Sequence, residues 1–538
     1  MKGVSELQTQ SRSYNNVLHK AAIIEHNGMV NSMDITRCPP KYSAKQSLLA
    51  MLGVSSGLML SALDQTVIGN ALPSIVSDLN GFEFYAWIAT SYLLMSIVTI
   101  PIFGRLGDYY GRKPFIVLAC LIFTVASLVC ALSTSIIMLV VARAAQGLGG
   151  GMLIATAFAS IPDLFPDNKE RLKWQIFLST AFSIVNAMGP PLGGFLTDYW
   201  GWRSIFYLNI PLGCLAVFFS WKFIPWIKHV EYKSISLDGL GALLIAIVLI
   251  CFQLFVEQFS TVGFNSLVIM LGSILLGITG LLYYWEQHVE YPLLPPALFK
   301  INGLKILFSS SIMAGAVMFS LLYYTPLMFQ GALGYSARDA GILVTPMVLS
   351  ITLGAIINSR VIVQLQNPNW LPKCGFMLLV TACIGLGLSH INTHFYVLLV
   401  LMLLSGCGLG FILINLTLFT QNSVNRTDLG IATALLQSLR LVGGMLGTTV
   451  MGVLVNAIYR DVLSEKLKAL GMSHFFTRMS NPNILLDNTL NIDKVFIDLA
   501  REALLDALSL GFFILATIAL LALVVLGKLK PTYLFTKQ

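Results

Sequence analysis

Fourteen apolar runs constrain this chain more than any other feature, because a run of about 18 to 25 such residues crosses a bilayer as a helix. They fall at 47–69, 85–104, 114–133, 136–158, 175–197, 203–223, 239–256, 265–285, 306–328, 339–361, 374–391, 395–417, 432–456 and 505–527. An even number of crossings puts both termini on one side. Of 538 residues, 11% are charged and 56% apolar, where a soluble domain carries about 25% charged residues. Mean hydropathy is +0.79. A soluble enzyme, a secreted scaffold and a disordered chain are excluded. The expected fold class is an all-α polytopic membrane protein with 14 transmembrane helices.

Charge orients the runs. The net charge of +8 would suggest nucleic acid on a soluble chain, but in a membrane protein basic residues collect in cytoplasmic loops. The expected partner is the lipid bilayer, and no nucleic acid. With both termini cytoplasmic, seventeen Lys and Arg fall in the short loops and C-terminal tail of that side. Only Arg203 and Arg338 fall in the short outer loops. The long outer loop 457–504 weighs little in that comparison. All eight Trp lie near run ends, where an interfacial aromatic belt belongs. No signal peptide precedes the first run, so a cell (inner) membrane location is expected. The eight Cys show no metal spacing and are expected to pack as free thiols.

Two longer connections, 224–238 and 286–305, bracket one helix pair, 239–285. Removing that pair leaves six runs before it and six after, a 6+2+6 plan. The expected organisation is a cytoplasmic tail at 1–46, a six-helix bundle at 47–223 and a two-helix insertion with its linkers at 224–305. A second six-helix bundle at 306–527 includes outer loop 457–504, and a cytoplasmic tail follows at 528–538. Two six-helix halves around a midplane site is a transporter plan.

Ionisable residues inside a span are costly and mark function. Three stand out: Asp64, Arg143 and Arg440. Asp64 lies roughly 8 Å from the outer end of its run and Arg143 roughly 10 Å from the outer end of its own. Equal depth and opposite charge predict a pair, or two groups on one water-filled cavity. A carboxylate held between burial and an Arg switches its proton with small geometric changes. Arg440, beside Gln437, is expected to bind an anionic group or a carboxylate of the opposite half, or else to snorkel to the cytoplasm. Four Gly-xxx-Gly steps, 147/151, 189/193, 406/410 and 443/447, allow close helix approach. The run Gly189-Pro190-Pro191-Leu192-Gly193-Gly194 suits a hinge, because Pro removes helix hydrogen bonds. No Walker loop, zinc motif or nucleophile elbow appears. No cofactor is expected, and the chain is not read as an enzyme.

The segment Gly104-Arg-Leu-Gly-Asp108-Tyr-Tyr-Gly111-Arg112-Lys113-Pro114 closely resembles the signature loop of the major facilitator superfamily. Gly104 would permit close helix contact and Gly111 a turn, and Asp108 would pair with Arg112 or a helix N-terminus. Tyr109 stands where the family often has Arg. Leu63-Asp64-Gln65-Thr66-Val67, Arg143-Ala-Ala-Gln146-Gly147 and the Gly189–Gly194 run resemble motifs of the 14-helix drug:proton antiporters of the EmrB/QacA type. The resemblance covers about 47–456. It implies a major facilitator fold that exports amphipathic compounds from the cytoplasm by alternating access, driven by the proton gradient. It implies proton coupling at Asp64 and Arg143, and a conformational switch at Gly104, Asp108, Gly111, Arg112 and Lys113. It implies a hinge at Gly189, Pro190, Gly193 and Gly194, and a substrate cavity near Gln146, Gln437 and Arg440. Partners would be small amphipathic substrates and protons, with a periplasmic adaptor and outer-membrane duct in a two-membrane cell. The same fold could carry a siderophore, lipid or metabolite, and a non-transporting sensor or scaffold is a further alternative.

Overall fold

A computed structural model describes residues 44–157, 159–165, 168–226, 238–262, 265–289, 292–362, 364–365, 367–424, 429–469, 479, 482–485 and 494–529. The expected tails therefore lie almost wholly outside the described residues, as does the middle of loop 457–504. Contacts divide the chain into Met1–Ser47 and Leu48–Gln538, and the transmembrane body is the second unit.

Fourteen helices are long and apolar enough to cross a membrane. They are α1 (Ala44–Asp78), α2 (Tyr85–Tyr110), α3 (Arg112–Ala131), α4 (Ile136–Ala157), α5 (Asn168–Trp200), α6 (Arg203–Phe223) and α7 (Gly239–Val262). Then come α8 (Ser266–His288), α9 (Asn302–Leu327), α10 (Ala337–Val361), α11 (Trp370–Gly387), α12 (Phe395–Asn422), α13 (Leu429–Ala469) and α14 (Lys494–Gly527). In hydrocarbon each backbone polar group must be satisfied within its own segment, and the helix does this. The turn from α2 to α3 is made at Gly111, whose φ of +87° favours glycine.

The three largest departures from the expected boundaries are these. α1 continues past residue 69 to Asp78, because Asp78 is tied to α6 by Arg203 Nη1 at 2.7 Å and Trp202 Nε1 at 3.0 Å. α13 continues through 457–469 and α14 begins at Lys494, so both ends of the expected outer loop are helical. These extensions are amphipathic: Tyr459, Leu463, Leu467, Ala503 and Leu504 are buried. On the other side Lys466 bridges Glu502 and Asp506 of α14 at 3.1 Å. Hydropathy ends such a helix too early. Among the seven described cysteines, all free, Cys214 is exposed rather than packed inside.

The two halves repeat one packing plan. α2 packs on α4, α3 on α4 and α6, and α5 on α6. In the same order α10 packs on α12, α11 on α12 and α14, and α13 on α14. The Gly-xxx-Gly steps fall at equivalent crossings. A Cβ on Gly147 would lie 2.3 Å from Tyr92 O of α2, and one on Gly406 2.0 Å from Met347 O of α10. One on Gly193 would lie 2.6 Å from Val67 O of α1, and one on Gly443 1.9 Å from Ile312 O of α9.

The halves meet by exchange, α2 against α13 and α5 against α10. The hydrogen bonds that cross between them include Tyr85 Oη to Tyr323 O at 2.6 Å and Gln330 Nε2 to Asn70 O at 2.9 Å. Both lie at the end opposite the 104–114 loop. There a Cβ on Gly194 would stand 2.4 Å from Ala337 O. At the loop end, nothing lies within 4 Å of a Cβ built on Gly104.

The helix pair 239–288 stands at the side. α7 touches α2 and α13, and α8 packs on α7. Only 6% of the most apolar stretch of α8 is buried, against 61% in α2. Asp238 joins the pair: its Oδ1 accepts from Gly241 N and Trp285 Nε1, both at 2.7 Å.

Candidate functional site

Five helices of the first half converge on Asp64. Arg143 of α4 donates from Nη1 to Asp64 Oδ2 of α1 at 2.5 Å. Their side chains are 0% and 3% exposed. The expected pairing is present, although Asp64 lies deeper than its run implies. It stands fourteen residues before the end of α1, because that helix runs on to Asp78.

The pair is embedded in a network. Gln146 Nε2 donates to Asp64 Oδ1 at 2.8 Å and to Ser127 Oγ of α3 at 2.8 Å. Gln146 Oε1 accepts from Arg143 Nη1 at 2.6 Å. Asn209 Nδ2 of α6 donates to Asp64 Oδ1 at 3.0 Å. Arg143 Nε reaches Ile88 O of α2 at 3.4 Å, and its guanidinium lies 4.7 Å from the Tyr92 ring centroid. Tyr92 Oη meets Ser61 Oγ at 2.9 Å. Arg143 Nη2 is buried without a partner among the described residues.

Asp64 is thus held by three donors on two other helices, Arg143 and Gln146 of α4 and Asn209 of α6. All three are satisfied by a carboxylate, an acceptor at both oxygens. Adding a proton to either oxygen replaces an acceptor by a donor and breaks at least one contact. Protonation and geometry are therefore coupled at this residue. A change at Asp64 reaches α4 and α6 directly, and α3 through Gln146 and Ser127.

Gln146 belongs to this network. Gln437 and Arg440, grouped with it from sequence as cavity residues, bond instead to each other on α13. Among the described residues Arg440 bonds to Gln437 and to no carboxylate of the opposite half. Its Nε is buried and unpartnered among the described residues, and the adjoining backbone is sealed by Gly315, whose Cβ would stand 1.9 Å from Arg440 O.

The proline-glycine segment is helical throughout, since α5 runs unbroken past Pro190 and Pro191. Its glycines serve close approach. A Cβ on Gly189 would fall 1.8 Å from Thr66 Oγ1 of α1, two residues beyond Asp64. Pro190 O accepts from Asn70 Nδ2 at 2.8 Å and lies 2.5 Å from where Gly341 of α10 would carry a Cβ. This segment therefore joins α1 to the opposite half.

In the 104–114 loop, Gly111 makes the turn, as expected. A Cβ on Gly104 would meet nothing within 4 Å, contrary to the close contact expected there, whereas one on Gly107 would lie 3.6 Å from Thr156 of α4. The side chain of Asp108, and with it the pairing expected there, lies outside the described residues. Arg112 donates to Asp163 of the short helix Ser160–Leu164, so the loop is tied to the far end of α4. Lys113 follows as the second residue of α3.

A family model described as Major Facilitator Superfamily matches residues 54–448. The chain belongs to the major facilitator superfamily. Among its relatives is the Multidrug transporter protein MdtP of Bacillus subtilis, 30% identical over 79% of this chain and 78% of that one. Efflux pump dotC of Dothistroma septosporum is 30% identical over 86% of this chain and 80% of its own length. A bacterial homologue of the human lysosomal transporter Spinster superposes with a TM-score of 0.62, at 16% identity, over 90% of this chain and 97% of that one. A D-xylose–proton symporter superposes with a TM-score of 0.56, at 13% identity, over 81% and 95%. These likenesses show the fold.

Within that superfamily fold, sequence reasoning found Asp64, Arg143 and Gln146 but missed Ser127, Tyr92 and Asn209 as members of one network. Asn209 had a signal of its own. It is an amide inside an apolar run, and such a group needs a buried partner.

Proposed function

We propose that this chain is a drug:proton antiporter, exporting amphipathic compounds from the cytoplasm by alternating access. The observation that carries this is the Asp64 carboxylate, buried against Arg143 and held by three donors. A proton reaching Asp64 weakens its hold on Arg143 and loosens α1 from α4 and α6. α1 is joined at Gly189 and Asn70 to α5, and α5 packs on α10, so that loosening reaches the contact between the halves. Return of the ionised carboxylate restores the pair. A proton that enters on the outer side and leaves on the inner side drives one such cycle. Each charge crossing 100 mV supplies about 2.3 kcal/mol, enough to concentrate a substrate roughly fiftyfold.

Drug export is supported by the names of the relatives, a multidrug transporter and an efflux pump. The basic residues of the short loops support cytoplasmic termini in a cell (inner) membrane. In that orientation the hydrogen bonds between the halves lie at the outer end. Gly104, Asp108, Gly111, Arg112 and Lys113 act as the switch at the cytoplasmic end, and Gly189, Pro190, Gly193 and Gly194 as the seam at the outer end. A periplasmic adaptor and outer-membrane duct would dock at the outer loop 457–504.

The test is dye efflux from proteoliposomes under an imposed pH gradient. Wild type should drive efflux, and Asp64→Asn should not. Gradient-driven efflux retained in the variant would move the proton site elsewhere. Because Asn leaves Arg143 buried without its counter-charge, an Asp64→Asn, Arg143→Gln double variant separates loss of coupling from loss of fold. It should keep its melting temperature and still lack gradient-driven efflux.

A further inference from the structure

A cavity of about 60 Å³, lined mostly by apolar atoms, lies where α2, α7 and α13 meet, at the end where the halves touch. Two side chains in its wall are buried with an oxygen left over. Gln253 of α7 is 1% exposed and Thr449 of α13 is 2% exposed. Gln253 Oε1 and Thr449 Oγ1 have no hydrogen-bond partner among the described residues. The Gln253 amide nitrogen is already committed, donating to Thr90 Oγ1 of α2 at 2.8 Å. That bond orients the amide and leaves the carbonyl oxygen as the unused end. A buried acceptor with no donor is costly, so this wall is built for something that donates.

The remaining lining defines the donor's charge. Glu257 of α7 and Glu83, the exposed residue before α2, both line the cavity, and among the described residues no Lys, Arg or His does. Glu257 Oε2 is positioned by Trp87 Nε1 at 2.8 Å. Aromatic rings supply the rest: Tyr85 and Tyr324 stand 5.2 Å apart and lie along the cavity with Trp87. Acceptor oxygens, net negative charge and ring faces together favour an organic cation bearing N–H groups. The space holds an ammonium group or a few waters, and no whole drug.

We propose that this cavity is a binding site for a protonated primary amine, either a small alkylammonium ion or the amine end of a larger cationic compound. Its walls come from both halves and from the inserted helix pair, so an amine seated there bridges all three. The site is separate from Asp64 and Arg143, and the proposal stands whether or not the chain exports drugs.

The experiment measures n-butylammonium binding by saturation-transfer NMR on the full chain in lipid nanodiscs, with n-butanol and tetramethylammonium as probes lacking charge or N–H groups. Saturable binding of n-butylammonium alone is expected. Glu257→Gln should weaken it about tenfold, the loss of one charge-assisted hydrogen bond. Thr449→Val, which replaces one buried oxygen by carbon, should weaken it several-fold without lowering the melting temperature. A longer amine, n-dodecylammonium, separates the two sources: tighter binding that stays sensitive to Glu257→Gln assigns the site to the end of a larger cation. Absence of saturable binding, equal affinity in wild type and both cavity variants, or density for water alone after soaking with amine would each overturn the proposal.

Discussion

At the scale of single residues, the chemistry of the first half is concentrated in one guanidinium. Arg143 binds two acceptors through Nη1, reaches a backbone carbonyl through Nε and faces the Tyr92 ring. A Lys at this position keeps the charge but not the planar fork. Arg143→Lys should therefore fold, with gradient-driven efflux reduced tenfold or more in the proteoliposome assay. Arg143→Leu should fare worse, because it leaves Asp64 buried without its counter-charge. Breaking a buried pair in that way costs about 3–5 kcal/mol, and a clear fall in melting temperature in detergent should report it. Equal melting temperatures for the Leu and Lys variants would mean that the pair carries no stability. The pair itself was legible in the sequence, since opposite charges inside two apolar runs have few other solutions. The surrounding amides and hydroxyls were not. Asn209 and Ser127 become partners only because α3 and α6 deliver them to one point, and neither run names its neighbour.

At the scale of helices, the glycines distinguish close crossings from open ones. Gly443 and Gly104 look alike in sequence, each a glycine one turn from another. A Cβ on Gly443 would lie 1.9 Å from Ile312 O, whereas one on Gly104 meets nothing within 4 Å. Gly443→Ala should therefore lower stability by about 1–3 kcal/mol, the usual cost of overpacking, and Gly104→Ala should leave it unchanged. Thermal unfolding of the two variants side by side checks this, and equal melting temperatures would contradict the α9–α13 crossing. Asp238 offers a second check, since it joins α7 to Trp285 of α8 through a single oxygen. Asp238→Ala should loosen the pair by about 1–3 kcal/mol, read as a lower melting temperature than that of wild type.

The helices themselves were legible because water is absent from their surroundings, and apolar length is then nearly sufficient. Their ends were less so. α1 passes through Asn70 and Pro73, residues that read as a stop. Asn70 there donates to Pro190 O and, through its backbone carbonyl, accepts from Gln330, partners on elements remote in sequence. Where one helix satisfies the polar groups of another, hydropathy along a single run misplaces the boundary. The tryptophans show the same limit. They sit near helix ends as an aromatic belt would, yet Trp87, Trp202 and Trp285 each donate to a carboxylate remote in sequence.

For the whole molecule, the repeated packing plan makes a mechanical prediction. α2 meets α13 and α5 meets α10 at one end, while at the loop end a Cβ on Gly104 would meet nothing within 4 Å. If transport alternates access by rocking one half against the other, the α2–α13 seam must open once in each cycle. A Cβ on Gly452 of α13 would lie 3.0 Å from the Ala86 Cβ of α2, slightly inside the range of about 3.5–4.5 Å that disulfides adopt. The nearest atom to the same Cβ is the Tyr324 hydroxyl, 2.5 Å away at the end of its side chain. Small relaxation should thus allow a disulfide between Ala86→Cys and Gly452→Cys, in a background from which the eight native cysteines have been removed. Oxidation should hold the seam shut and stop gradient-driven efflux, and a reductant should restore it within the same preparation. Substrate should still bind to the oxidised protein from the loop side. Crosslinked protein that transports as fast as reduced protein would mean that α2 and α13 never part, and the rocking of two halves would have to be abandoned for this chain.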